Sequence, residues 1–186
     1  MSVEPILVWL DLETTGLEPT RDGILEIAVS LAALRNPFTP IMTAEWVLHY
    51  PRNGQELLTP FIRGMHGKNG LLEECAVASL NRHDVEQALL ALVPLGVDRE
   101  SMPILAGSSV HFDHGFLKVH MPELSSKLSH RHYDVSAVKL FCQSLGMEKL
   151  PRAEAHRAAA DISESIDHAK RCAEWMRWLQ YQHQQS

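Results

Sequence analysis

The sequence predicts one α/β domain over residues 1–186, with strands first and helices packed on them. Three observations predict it. Three apolar runs rich in β-branched residues lie near the start of the chain, joined by short polar stretches. The apolar spacing then switches from strand-like to steps of three and four. No linker, repeat or low-complexity stretch divides the chain.

Taken in order, residues 6–13 read as an apolar strand that ends in acidic residues. Residues 24–34 form the second strand and 41–49, which alternate, the third. The stretch 35–40 carries two prolines and reads as the turn between the last two, so the three strands make an antiparallel meander. Residues 70–78 and 84–93 are expected to be helical, and 102–109 to be a fourth, buried strand. A helix over 112–120 stops before Pro122, and one over 134–145 ends at Gly146. The last and longest helix, 157–182, places Ile162, Ile166, Ala169, Ala173 and Met176 on one face.

Composition narrows the classes. A length of 186 residues is enough for one proper core. Hydrophobic content of 45% and charged content of 22% are those of a soluble globular protein. No apolar run reaches bilayer length, and residues 1–5 lack the basic-then-apolar order of a secretory signal. A soluble, cytoplasmic protein is therefore expected. Cys75, Cys142 and Cys172 are odd in number and widely spaced, which argues for reduced, buried thiols rather than disulfides or a thiolate zinc site. The formal charge is −6, and Lys and Arg are scattered, with local groups at 127–131 and 149–157. Without a basic stripe, long duplex binding is disfavoured and a short phosphate-bearing substrate favoured.

Three acidic signals carry the chemistry. In the first, Asp11-Leu12-Glu13-Thr14-Thr15-Gly16-Leu17, residues two apart on a strand point to one side, so Asp11 and Glu13 converge while Leu10 and Leu12 face the core. Like charges so placed repel unless a cation lies between them. Thr14-Thr15-Gly16 provides a tight turn where backbone can approach a ligand. In the second, Gly107-Ser108-Ser109-Val110-His111-Phe112-Asp113, a buried strand runs into small residues and an Asp near a helix start. In the third, His156-Arg157-Ala158-Ala159-Ala160-Asp161, a histidine precedes the last helix and an aspartate falls in its first turns. Singly, each fits a surface acid or a carboxylate offsetting a helix dipole.

Together they form the set Asp11, Glu13, Asp113, Asp161 and His156, and with it the chain resembles the oligoribonucleases, 3′→5′ exonucleases of the DEDDh type, over about residues 6–175. Further matching stretches are Arg21-Asp22, Glu26-Ile27-Ala28, Met121-Pro122-Glu123-Leu124, Asp134-Val135-Ser136 and Asp161-Ile162 with Glu164-Ser165. The Met-Pro-Glu-Leu and Asp-Val-Ser segments point to oligoribonuclease rather than to polymerase proofreading domains. The resemblance implies a ribonuclease H-like mixed sheet, an antiparallel meander plus parallel strands, flanked by helices. It implies release of 5′-mononucleotides from very short RNA, chiefly dinucleotides, by a two-metal mechanism. Asp11, Glu13, Asp113 and Asp161 would hold two Mg²⁺ or Mn²⁺ ions, with Asp11 bridging them, and His156 would be the general base.

It also implies a substrate pocket. Leu17 would wedge between the two bases and Phe61 would stack on one of them, where the family usually has tryptophan. His66, read as a loop residue, would contact the nucleotide near its 3′ end. Ser109, Arg131 and Ser136 would cap the 5′ phosphate and measure substrate length. The family's tyrosine before that arginine, given to the neighbouring subunit's site, is His130 here, with His132 and Tyr133 nearby. A homodimer is implied, with Trp175, Trp178 and the segment around His130 as candidate contacts.

Three other readings compete. The same catalysis would serve DNA dinucleotides or the 3′ tails of longer RNA. A non-catalytic nucleotide binder on this fold would be favoured by loss of one of the five side chains, and all five are present. A histidine metal site would use His111, His114 and His120 with Asp113.

Overall fold

In the computed structural model, residues 4–94, 96, 98–152 and 156–185 are described. Residues 1–3, part of the segment read for a secretory signal, and 153–155, inside the basic group at 149–157, lie outside them.

The meander forms as its sequence predicts. β1 (Ile6–Thr14), β2 (Ile24–Ala33) and β3 (Met42–Val47) pair antiparallel, with Ile6 opposite Ala33 and Ile27 opposite Trp46. β4 (Ile104–Gly107) then joins β1 in parallel, and β5 (His132–Asp134) joins β4 in parallel. The order is β3-β2-β1-β4-β5, so β1 lies in the middle of a mixed sheet. Its sequence suits that place, because a central strand needs apolar side chains on both faces.

Helices cover the two faces. Between β3 and β4 come α1 (Arg52–Gln55), α2 (Pro60–Lys68), α3 (Leu71–Val77) and α4 (Arg82–Leu92). After β4 come α5 (Val110–His120), α6 (Pro122–Lys127), α7 (Val135–Ser144) and α8 (Ala158–Gln185). One face buries Val8, Leu10 and Leu12 of β1 against Val85 and Leu89 of α4, Phe116 and Leu117 of α5, and Leu124 of α6. The other buries Leu7 and Trp9 against Ala158, Ile162 and Ala169 of α8, and the small Ala28, Ala32 and Ala106 let that helix lie close. A third cluster packs Leu25 under Ile62 of α2 and Leu71, Leu72 and Cys75 of α3. All three cysteines are free and buried.

The expected helices at 70–78, 84–93, 112–120, 134–145 and 157–182 correspond to α3, α4, α5, α7 and α8 with shifted ends. Four elements escaped the sequence reading: α1, α2, α6 and β5. For α2 the signal was present, since Thr59 caps it by accepting from the Ile62 amide and Pro60 opens its first turn. β5 has only three residues and exists because β4 offers a parallel edge, which no local pattern reveals. Among the described residues, no helix is long and apolar enough to cross a membrane.

Candidate active site

β1 carries two carboxylates to the end of the sheet. Its odd-numbered residues share the α8 face, and the apolar row of Leu7 and Trp9 continues as Asp11 and Glu13. α8 begins beside them, and Asp161 in its first turn completes a trio whose ligand oxygens all lie within 4.8 Å of one another. Asp113, in the first turn of α5 and only 4% exposed, lines the same cavity of about 280 Å³. His156 lines it too, so five side chains from three distant stretches meet in one place.

The electrostatics are those of a site short of positive charge. Burial, then the neighbouring Asp113, Asp161 and Glu13, hold the Asp11 carboxyl well above the usual carboxylate range. Burial, then Asp161 and Glu26, push Glu13 up to about 8. Burial lifts Asp113 to about 7 against opposing backbone hydrogen bonds, and burial also raises Asp161. Crowded carboxylates of this kind relax when a cation enters. All the donors are oxygens, which suits a hard divalent ion and not a thiophilic one. The cluster fits divalent-metal binding.

His156 has left-handed backbone, with φ of 47°, an unfavourable conformation for a side chain with Cβ. Asn69 donates from Nδ2 to its carbonyl oxygen. The next residue, Arg157, reaches the buried Glu26 at 2.7 Å and Glu74 at 2.9 Å.

His66 departs from its expected role. It lies on α2, not on a loop, and its side chain is fully buried, so it offers no surface to a nucleotide. Its Nε2 stands 3.6 Å from Glu13 Oε2. Neither ring nitrogen has a hydrogen-bond partner among the described residues, and burial lowers the ring's affinity for a proton. His66 therefore supports the floor of the site behind Glu13.

Two further depressions lie outside the cavity. Leu17 and Phe61 are both largely exposed and face one depression of about 750 Å³ with Tyr50, Leu57 and Ile62. Phe61 also borders a neighbouring depression that His156 lines. The turn that presents Leu17 is built around Asp22, whose carboxylate accepts from the Glu18 amide at 2.9 Å. A Cβ on Gly16 would overlap that carboxylate, so here the close approach that glycine permits is to Asp22.

At the other end of the cavity the hydroxyls of Ser109 and Ser136 lie 3.2 Å apart. Arg131 and His130 are exposed on the segment entering β5 and do not line the cavity that the two serines line. Lys139 and Arg152 line it instead, and the sequence reading missed both. Lys139 was within reach of helical spacing, three residues after Ser136 on α7. The histidine rival fails on geometry. His120 Nε2 bonds the Pro19 and Asp22 carbonyls while His114 packs edge-on against His132, and the carboxylate trio is the only metal-type grouping among the described residues.

Residues 8–168 match the exonuclease family RNase_T. The oligoribonuclease of Thiobacillus denitrificans is 34% identical over 174 residues, which cover 90% of this chain and 93% of that protein. That of Corynebacterium diphtheriae is 35% identical over 166 residues, covering 86% and 78%. That of Bordetella pertussis is 32% identical over 173 residues, covering 88% and 91%. Among solved structures, E. coli exonuclease I in complex with a dT13 oligonucleotide aligns with a TM-score of 0.68 at 15% identity, over 96% of this chain and 43% of that one. The zinc-bound form of its single-stranded DNA complex gives 0.66 at 15% identity, over 95% and 43%. This likeness shows the fold alone, the ribonuclease H-like sheet, and the chain spans less than half the length of exonuclease I.

Proposed function

The chain belongs to the RNase_T exonuclease family, among the oligoribonucleases, and from that premise we propose that it is a 3′→5′ exoribonuclease that hydrolyses very short RNA, chiefly dinucleotides, to 5′-mononucleotides. The observation that carries this reading is the meeting of Asp11, Glu13, Asp113, Asp161 and His156 around one cavity. Asp11, Glu13, Asp113 and Asp161 would hold two divalent cations, Mg²⁺ or Mn²⁺, which when bound would supply positive charge to the attacking and leaving oxygens.

The remaining chemistry belongs to the chain. His156 accepts a proton from the attacking water as its oxygen bonds to phosphorus. The bond from phosphorus to the 3′ oxygen breaks, and that oxygen takes a proton from solvent. One 5′-mononucleotide leaves, and the shortened fragment keeps a free 3′ hydroxyl. Leu17 and Phe61 receive the bases; their exposed apolar surface toward one groove supports this. Ser109 and Ser136 receive the 5′ phosphate, with Arg131 and His130 contributing from the exposed segment before β5. His66, fully buried 3.6 Å behind Glu13, packs against the site rather than touching nucleotide.

We read residues 1–186 as one exonuclease domain, since β1 through α8 build one sheet and its two covered faces. A cytoplasmic homodimer completes the reading. Support for the dimer comes from Leu140 and Phe141 on α7, Leu145 just after it, and Trp178 and Tyr181 on α8, all exposed on or beside two helices that pack together.

The test is digestion of end-labelled RNA oligomers, dimer to heptamer, with and without Mn²⁺, beside matched DNA dimers. Metal-dependent release of 5′-mononucleotides, fastest on the RNA dimer, is expected. Intact RNA dimers in the presence of metal would overturn the assignment.

A further inference from the structure

His156 is held by residues on both sides of its own backbone. On one side, Asn69 at the C-terminal cap of α2 donates from Nδ2 to the His156 carbonyl. The Asn69 amide is itself oriented, because its Oδ1 accepts from the Leu71 amide at 3.2 Å. On the other side, Arg157 spreads its guanidinium over two carboxylates. Nε and Nη2 reach Glu26 Oε1 at 3.0 and 2.7 Å, while Nη1 and Nη2 reach the two oxygens of Glu74 at 2.9 Å each. Glu26, 1% exposed on β2, also accepts from the Ala158 amide at 2.9 Å. Neither Asn69 nor Arg157 lines the carboxylate cavity.

These contacts have a reason in the backbone between them. His156 is one of two residues other than glycine with positive φ among the described residues. Left-handed backbone at a residue with Cβ persists only where its surroundings over-determine it. Released, the segment relaxes toward an ordinary conformation and swings the imidazole away from Asp11, Glu13 and Asp161. Arg157 engages Glu26 and Glu74 from three separate nitrogens, which the single ammonium of a lysine cannot reproduce in full.

We propose that Asn69 and Arg157 are positioning residues that pin the left-handed His156 segment to α2, β2 and α3, and so hold its imidazole at the carboxylate cluster. The proposal rests on the reading of His156 as the general base. Both residues act through His156, so their effect must vanish when the imidazole is gone.

The experiment measures single-turnover cleavage of an RNA dinucleotide with Mn²⁺ for Asn69→Ala, Arg157→Lys and Glu74→Gln, each with His156 present and in a His156→Ala background. With His156 present, Asn69→Ala and Arg157→Lys are expected to slow cleavage about ten- to hundredfold, the cost of small misplacement of a reacting group. Dinucleotide affinity and the Mn²⁺ concentration for half-activation should stay as in the unaltered protein. In the His156→Ala background the same substitutions should change the rate by less than about twofold. Glu74→Gln leaves the buried Glu26–Arg157 pair intact; it keeps a folded test available and should give a smaller loss of the same kind. Losses that persist undiminished without His156, or that appear in metal activation instead of rate, overturn the positioning role. Near-normal cleavage by His156→Ala itself would instead remove the general-base reading on which the proposal stands.

Discussion

Leu17 is 79% exposed and Phe61 73% exposed, so neither contributes much to the folded core. Apolar side chains held in water yet facing one groove are positioned for a ligand with flat apolar faces. Phe61→Ala is therefore expected to leave thermal stability nearly unchanged while weakening dinucleotide binding by about 1–3 kcal/mol. That is about five- to 150-fold in KM, with kcat retained, and steady-state kinetics on an RNA dimer checks it. An unchanged KM would remove Phe61 from the base site. Leu17 and Phe61 were singled out through the family resemblance, and the structure adds their exposure toward one depression. His66 was read as a loop residue, and only the placement of α2, which brings His66 Nε2 to 3.6 Å from Glu13 Oε2, reveals that its ring is buried.

At the scale of elements, the end of β1 and the start of α8 press carboxylates together, and the cost follows pH. Glu13 is raised from 4.5 to about 8 and Asp113 from 3.8 to about 7 in the folded, metal-free chain. Groups shifted upward on folding favour the native state while protonated, so their contribution is full below the unfolded values. It is lost as pH climbs through the folded ones. Between about pH 4 and pH 8 the metal-free protein should melt at progressively lower temperature. Mn²⁺ at about a hundredfold over its dissociation constant should raise the melting temperature by about 5–10 °C near pH 8, and by less near pH 5. Scanning calorimetry with and without the ion checks this, and a melting temperature indifferent to both pH and metal would refute it. The sequence foretold this pairing in part. Two-residue spacing on a strand places Asp11 and Glu13 side by side, whereas the approach of Asp161 depends on how α8 crosses the α8-facing row of Leu7 and Trp9.

For the whole molecule, the uncovered apolar side chains of α7 and α8 argue that a second copy shields them. Sedimentation equilibrium should give twice the chain mass, and Phe141→Glu combined with Trp178→Glu should give a single chain mass with the secondary structure intact. A monomer in the unaltered protein would refute the dimer. By itself the sequence determined which side chains are candidates for the site, the apolar run of β1 and the alternation that turns its last acids to one side. Those features are short-range, set by residue type and by the period of a strand. Only the tertiary structure decided which partners meet. It put Glu26 under Arg157 across 131 positions, buried His66 and left Arg131 outside the cavity that Lys139 enters. Such contacts arise from the stacking of helices on a sheet, and stacking depends on volumes and crossing geometry summed over the whole core, which no local spacing encodes.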